Sequence, residues 1–281
     1  MRSFQDYTLL NEIFKRFTVD KIVLNKKSDD LWSIFKNNKK LVIALNHGPM
    51  MAPGYVNTSL LDILVKNGAA DRTYVAVVWK HFYSIPGLGR LFKYMTQVEK
   101  PTSLKGFLEK YNAPGVNDLL VMPEGENCSY GNGIDIEPFL SPGFIEIAIR
   151  SNTPILLGVH HGTHLLANPV EISEKQANWF KWAPKKTFDR LKEARTISMP
   201  KPVFGKLPKL EYLFKLYQPS LKATELSEDK YERLEQLEKE AVLVRGTMQA
   251  MVDVLAGRTE EVELPGAGET VAQDKVAEIA A

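Results

Sequence analysis

A histidine at the end of an apolar run is the first group in this chain whose type and setting could do chemistry. Asn46-His47-Gly48 follows Leu41-Val-Ile-Ala-Leu45 and leads into a turn at Pro49. A side chain so placed projects into the crevice at the carboxyl edge of an open α/β sheet, where such sheets bind ligands. Neutral imidazole is the natural base for taking a proton from an alcohol near neutral pH. Taken alone, the triplet also suits a histidine satisfied within a structural turn.

A second strand-end group is Pro123-Glu124-Gly125, directly after Leu119-Leu-Val-Met122. A carboxylate there can orient a histidine or bind polar groups of an acceptor, and glycine permits close backbone approach. His160-His161-Gly162-Thr163-His164 follows a further apolar run and invites a metal reading. Adjacent histidines on an extended backbone point to opposite sides, and no carboxylate lies close in sequence, so no metal is expected. Ser129 lacks the G-x-S-x-G elbow of a serine hydrolase. Cys128 is read as a small side chain in a turn, with a covalent nucleophile as the alternative.

Positioning these groups requires strands ending beside one another. Residues 41–45, 74–78, 119–122 and 155–159 are near-continuous aliphatic runs, the pattern of strands covered on both faces. Helical patterns lie between them at 58–66, capped by Thr58 or Ser59, at 103–111 and at 142–152. Strands alternating with helices predict an α/β fold with a central, mostly parallel sheet flanked by helices. The division is a helical N-terminal segment 1–40, an α/β core 41–170, a helical, basic C-terminal portion 171–257 and a disordered tail 258–281. The C-terminal portion holds a Pro/Lys-rich segment, 199–209, and a charged, solvated helix over 227–255 that caps the domain.

Composition narrows the function classes. With 281 residues, 44% of them hydrophobic, the chain can bury one substantial core. A net charge of +2 gives no case for nucleic acid as a partner. The lone cysteine rules out an internal disulfide and fits a reducing, cytoplasmic compartment. No apolar run reaches the ~20 residues of a membrane span. Residues 7–17 carry Leu9, Leu10, Ile13, Phe14 and Phe17 at helical spacing, and Trp179-Phe180-Lys181-Trp182 mixes aromatics with lysine. Each suits either a peripheral membrane contact or packing on the domain.

Taken together, Asn46-His47, Ile85-Pro86-Gly87-Leu88-Gly89, Met122-Pro123-Glu124-Gly125-Glu126-Asn127 and Thr153-Pro154-Ile155 resemble the glycerolipid acyltransferase family, the relatives of 1-acylglycerol-3-phosphate acyltransferase. The His-Gly pair is also similar to that of the diacylglycerol acyltransferase branch. The resemblance implies O-acyl transfer, in lipid metabolism, from an acyl-CoA or acyl carrier protein thioester to a hydroxyl of a lipid-like acceptor at a membrane surface. It implies no metal and no further cofactor. His47 and Glu124 take the catalytic places, and Asn46, Gly48, Lys100, Pro123, Gly125, Glu126 and Asn127 the substrate-binding ones. The chain departs from the family pattern in having Ala52 where an aspartate is expected, Lys100, in Gln97-Val98-Glu99-Lys100, as the only basic candidate for the arginine expected after the Ile-Pro segment, and Glu126-Asn127 where a further arginine is expected. The orienter of His47 is then Glu124, Asp62 or a backbone carbonyl, with Glu124 favoured because the resemblance places it in the same pocket. These departures leave a non-catalytic lipid or acyl-thioester binding protein as the alternative, and an acyl-thioester hydrolase as a third class.

Overall fold

The structure, a computed structural model, describes residues 1–84, 86–179, 181–182, 185–201 and 206–262. Ile85, Phe180, positions 202–205 of the Pro/Lys-rich segment and positions 263–281 of the expected tail lie outside the described residues.

Four parallel strands form the part of the sheet that carries the site. They are β2 (Leu41–Leu45), β3 (Tyr74–Ala76), β4 (Asp118–Val121) and β5 (Ile155–His161). With β1 (Val19–Leu24) and β8 (Leu207–Tyr217) they make a six-stranded sheet of order β1-β8-β5-β2-β4-β3. β8 runs antiparallel to β5 and parallel to β1, so the sheet is mixed at that side and parallel elsewhere. A small antiparallel pair, β6 (Ala167–Glu171) and β7 (Thr196–Pro200), lies outside it.

The alternation of a strand sends β2 side chains to opposite faces. Leu41, Ile43 and Leu45 join one core, with Val56, Leu60 and Leu64 of α3 (Ala52–Leu64) and Tyr212 and Phe214 of β8. Val42 and Ala44 join the other, with Ile145 and Ala148 of α6 (Gly143–Arg150) and Val244, Met248 and Met251 of α9 (Lys230–Leu255). The remaining helices are α1 (Thr8–Thr18), α2 (Leu31–Asn37), α4 (Leu88–Thr96), α5 (Leu104–Asn112), α7 (Glu174–Asn178) and α8 (Lys185–Ala194).

The α/β class and the mostly parallel sheet match the sequence reading, and several features correct it. The interior strand β8 falls in the portion expected to be helical, and β1 falls in the N-terminal segment expected to be helical. Lys209, Glu211 and Lys215 interrupt the β8 run, although Leu210, Tyr212, Leu213 and Phe214 are all buried. The helix expected from Thr58 begins at Ala52 and reads through Pro53, whose missing N–H is tolerated in a first turn. The Thr58 and Ser59 hydroxyls accordingly bond back to the Tyr55 carbonyl, both at 2.9 Å, instead of capping. α9, capped by Asp229, is a core helix: Val244, Met248, Met251 and Val252 are fully buried. At the start of the expected tail, Arg258 is tied to Asp253 at 2.9 Å and to Asp135.

Candidate active site

Because β2, β4 and β5 are parallel, their carboxyl ends share one edge of the sheet. His47 follows β2, Glu124 follows β4, and His160 lies in the last turnings of β5. The hydrogen bonds Asn46 N–H to Gly158 O at 3.3 Å and Val42 N–H to Pro154 O at 3.2 Å hold β2 on β5 up to this edge.

His47 is held by one ring nitrogen. Its Nδ1 lies 3.1 Å from the Gly48 carbonyl oxygen, which can only accept, so Nδ1 carries the proton and Nε2 carries the lone pair. Burial lowers the pKa of the imidazole, which keeps it neutral. Nε2 faces the Cys128 thiol, with Sγ 3.9 Å away. Burial pushes that thiol up to about 12, so the sulfur is protonated at neutral pH.

Glu124 is buried and meets His47 through the main chain. Its Oε2 accepts from the His47 N–H at 2.5 Å and its Oε1 from the Glu137 N–H at 2.9 Å. The expectation that this carboxylate orients the imidazole is therefore corrected: it fixes the peptide that carries the ring. The physical reason is direction, since both oxygens are spent on main-chain donors beneath the turn. Burial raises its pKa to about 7, against the pull of the two N–H bonds. Asp62, the second candidate orienter, instead pairs with Lys15 and Lys66 at 2.9 Å each. The backbone carbonyl of Gly48 is the orienter.

Gly48 is required by conformation and by space. Its φ is +64°, and a Cβ there would lie 2.6 Å from Thr163 Oγ1, 2.9 Å from His160 Cε1 and 3.2 Å from the Ala52 Cβ. Ala52, standing where the resemblance expects an aspartate, is fully buried against this glycine.

The other expected site residues fall into two groups. Asn46 is buried in the β2–β5 seam: its Oδ1 accepts from the His160 N–H at 2.7 Å and its Nδ2 donates to the His160 carbonyl at 3.2 Å. Asn127 is buried and donates to the Pro138 carbonyl at 2.7 Å, and the Pro123 carbonyl accepts from the Leu140 N–H at 2.8 Å. Gly125 has φ +52°, and a Cβ there would lie 3.0 Å from Leu140 Cδ2. These residues build the loop walls. Glu126 and Lys100 are exposed, Lys100 in the bend between α4 and α5, where it makes no hydrogen bond or ion pair among the described residues.

His160, Thr163 and Glu137 were not assigned to this site from the sequence. His160 turns inward while His161 turns outward, as strand alternation requires. Its Nε2–H donates to the Asn46 carbonyl at 3.0 Å, and its Nδ1 lies 3.3 Å from the Thr163 hydroxyl. Complete burial lowers its pKa to about 3. The signal available in the sequence was the dense histidine run itself. Glu137 had none, because it contributes a main-chain N–H; its carboxylate pairs with Arg190. His161 and His164 stack with ring centroids 4.6 Å apart, and no group of three or more potential metal ligands forms among the described residues.

No protein-family model matches the chain, and no curated protein matches its sequence. Among solved structures, the chain is similar to the 1-acyl-sn-glycerophosphate (LPA) acyltransferase PlsC from Thermotoga maritima. The likeness covers 93% of this chain and 86% of that one, at 14% identity and a TM-score of 0.43.

Elsewhere on the surface, α1 exposes Leu9, Ile13, Phe14 and Phe17, and the α7–α8 connection exposes Trp179 and Trp182. Among the described residues no helix is long and apolar enough to cross a membrane.

Proposed function

We propose that this chain transfers a fatty acyl group from an acyl-CoA or acyl carrier protein thioester to a hydroxyl of a lipid-like acceptor. One observation carries the reading: a neutral imidazole at the carboxyl edge of the parallel strands, proton held at Nδ1 and lone pair at Nε2. That is the state a general base needs before it meets an alcohol.

Nε2 of His47 takes the proton of the acceptor hydroxyl as its oxygen attacks the thioester carbonyl. The carbonyl oxygen gains negative charge, and the Gly48 N–H, which has no partner among the described residues, is the candidate donor for it. Collapse breaks the carbon–sulfur bond, and the imidazolium returns its proton to the leaving thiolate. Glu124 is a positioning residue in this scheme, acting through the His47 peptide. The chemistry needs neither a metal nor a redox cofactor.

The acceptor and the surface it comes from belong to the same proposal. Leu9 and Phe17, 79% and 72% exposed, share a helix with the basic Lys15 and Arg16, and Trp179 and Trp182 add an aromatic surface beside Lys181. Tryptophan and lysine together suit the headgroup region of a lipid surface.

The test is acyl transfer from labelled acyl-CoA and acyl carrier protein to a panel of lysolipids, diacylglycerol and simple alcohols, with His47→Ala alongside. Acylated product that disappears in the variant is the expected result and names the acceptor class. Full activity in His47→Ala would remove the assignment. A second reading, a non-catalytic lipid or acyl-thioester binding protein, is favoured by the Cys128 thiol lying against Nε2, where the acceptor hydroxyl must come. It predicts lipid binding with no product from any pair. Free fatty acid released regardless of acceptor would mark a hydrolase.

A further inference from the structure

The imidazole of His47 is oriented by a carbonyl, and a carbonyl orients only as well as its own peptide is fixed. What fixes the Gly48 peptide lies in the next strand. His160 is linked to Asn46 by three hydrogen bonds: its main-chain N–H to Asn46 Oδ1 at 2.7 Å, its main-chain carbonyl from Asn46 Nδ2 at 3.2 Å, and its ring Nε2–H to the Asn46 carbonyl at 3.0 Å. The residues on either side of His47 thus both lie beside one side chain: Asn46 is bonded to His160, and a Cβ at Gly48 would come within 2.9 Å of His160 Cε1 and 2.6 Å of Thr163 Oγ1, so the Gly48 main chain runs close along both.

The proton positions follow from the partners. The Asn46 carbonyl can only accept, so His160 Nε2 is protonated. A neutral ring then presents Nδ1 as an acceptor, and the Thr163 hydroxyl donates to it. Thr163 is buried and lies in the turn Thr163–Leu166 that follows β5, so its hydroxyl is aimed by the fold. Loss of that donor would let the His160 proton move to Nδ1, which would leave two lone pairs facing each other at Asn46.

We infer that His160 and Thr163 are positioning residues for His47, standing in for a side-chain orienter by fixing the Asn46 and Gly48 peptides and so aiming the Gly48 carbonyl at Nδ1. Ala52 completes the device by its small size, since its Cβ already lies beside the space a Gly48 side chain would take. The consequence for catalysis rests on the acyl-transfer reading above; the consequence for the ring does not.

The experiment pairs Thr163→Val, which keeps shape and removes the hydroxyl, with Thr163→Ser, which restores it. Nitrogen-15 NMR of the histidine rings reads the tautomers directly. In the wild type, His47 is expected as the Nδ1–H form and His160 as the Nε2–H form. In Thr163→Val both populations should become mixed, and Thr163→Ser should return them. In the transfer assay, kcat of Thr163→Val should fall on the order of a hundredfold, the effect of a small misplacement of a catalytic group. KM for the acyl thioester should stay within about twofold. Thr163→Ala serves the same purpose if the valine variant does not fold. A wild-type His47 tautomer in a folded variant lacking the hydroxyl would overturn the inference. A wild-type protein that transfers no acyl group would end the acyl-transfer reading alone, and the tautomer measurement would still decide this one.

Discussion

Two buried carboxylates stand at the opposite ends of the β4 segment, and they are treated in opposite ways. Asp118, at its start, receives Arg72 as a fork, with Nε at 2.9 Å and Nη2 at 2.6 Å. The same guanidinium also donates to the Phe35 and Asn38 carbonyls at 3.1 Å and 2.7 Å. Glu124, just beyond the other end, is as deeply buried but has no such fork; it receives only two main-chain N–H groups. A full counter-charge in bidentate geometry leaves a carboxylate nothing further to do, and its role is to join β4 to α2 and the β3 approach. Burial pushes both carboxyls up; against it Asp118 has the Arg72 fork, whereas Glu124 is hydrogen-bonded only by N–H groups and sits at about 7, and its two bonds report directly on the peptide of His47. The difference separates a group that holds the fold from one that tunes a site.

The sharpest way to break that comparison is to remove Arg72. Arg72→Met leaves Asp118 buried and unmatched, and should cost about 3–5 kcal/mol of stability, read by denaturant unfolding. A cost under about 1 kcal/mol would show that the pair is not structural in this sense.

Glu124→Gln should act mainly on activity. An amide offers one acceptor oxygen where two N–H donors must be met, so the His47 peptide loses a bond. Transfer should fall on the order of a hundredfold. The pH dependence of stability gives an independent reading. The folded pKa of Glu124 is raised from 4.5 to about 7 by burial. The contribution of this group is therefore fully present below about pH 4.5 and is lost as pH rises through about 7. The rise corresponds to about 3 kcal/mol, and Glu124→Gln should remove that slope. A slope unchanged in the variant would show that the group does not titrate there.

The smallest stability effect belongs to the surface. Leu9→Ser with Phe17→Ser, or Trp179→Ala with Trp182→Ala, should change stability by no more than about 0.5 kcal/mol. Flotation with phospholipid vesicles should fall all the same. Loss of stability without loss of flotation would reassign these residues to packing.

Legibility followed locality. The runs at 41–45 and 155–159 read as strands because they are aliphatic throughout, and they occur as β2 and the first part of β5. β8 was hidden because lysine and glutamate stand between its buried positions, so it lacks the continuous aliphatic run that marked the other strands. His47 stood out because a polar triplet with glycine closes an apolar run. The role of His160 did not, because the histidine run it belongs to could be weighed only as a ligand set. Its partner Asn46 lies in another strand, brought alongside by the β2–β5 pairing.

What the amino-acid sequence determined by itself is the α/β alternation and the strand ends at which His47 and Glu124 stand. These depend on neighbours along the chain and on hydrophobic period. Only the tertiary structure decided that a carbonyl orients His47, that Glu124 holds a peptide instead of a ring, and that His160 and Thr163 lie beneath both. Those assignments turn on which hydrogen-bonding group meets which across parallel strands, and buried donors and acceptors choose partners by geometry that no spacing in the chain encodes.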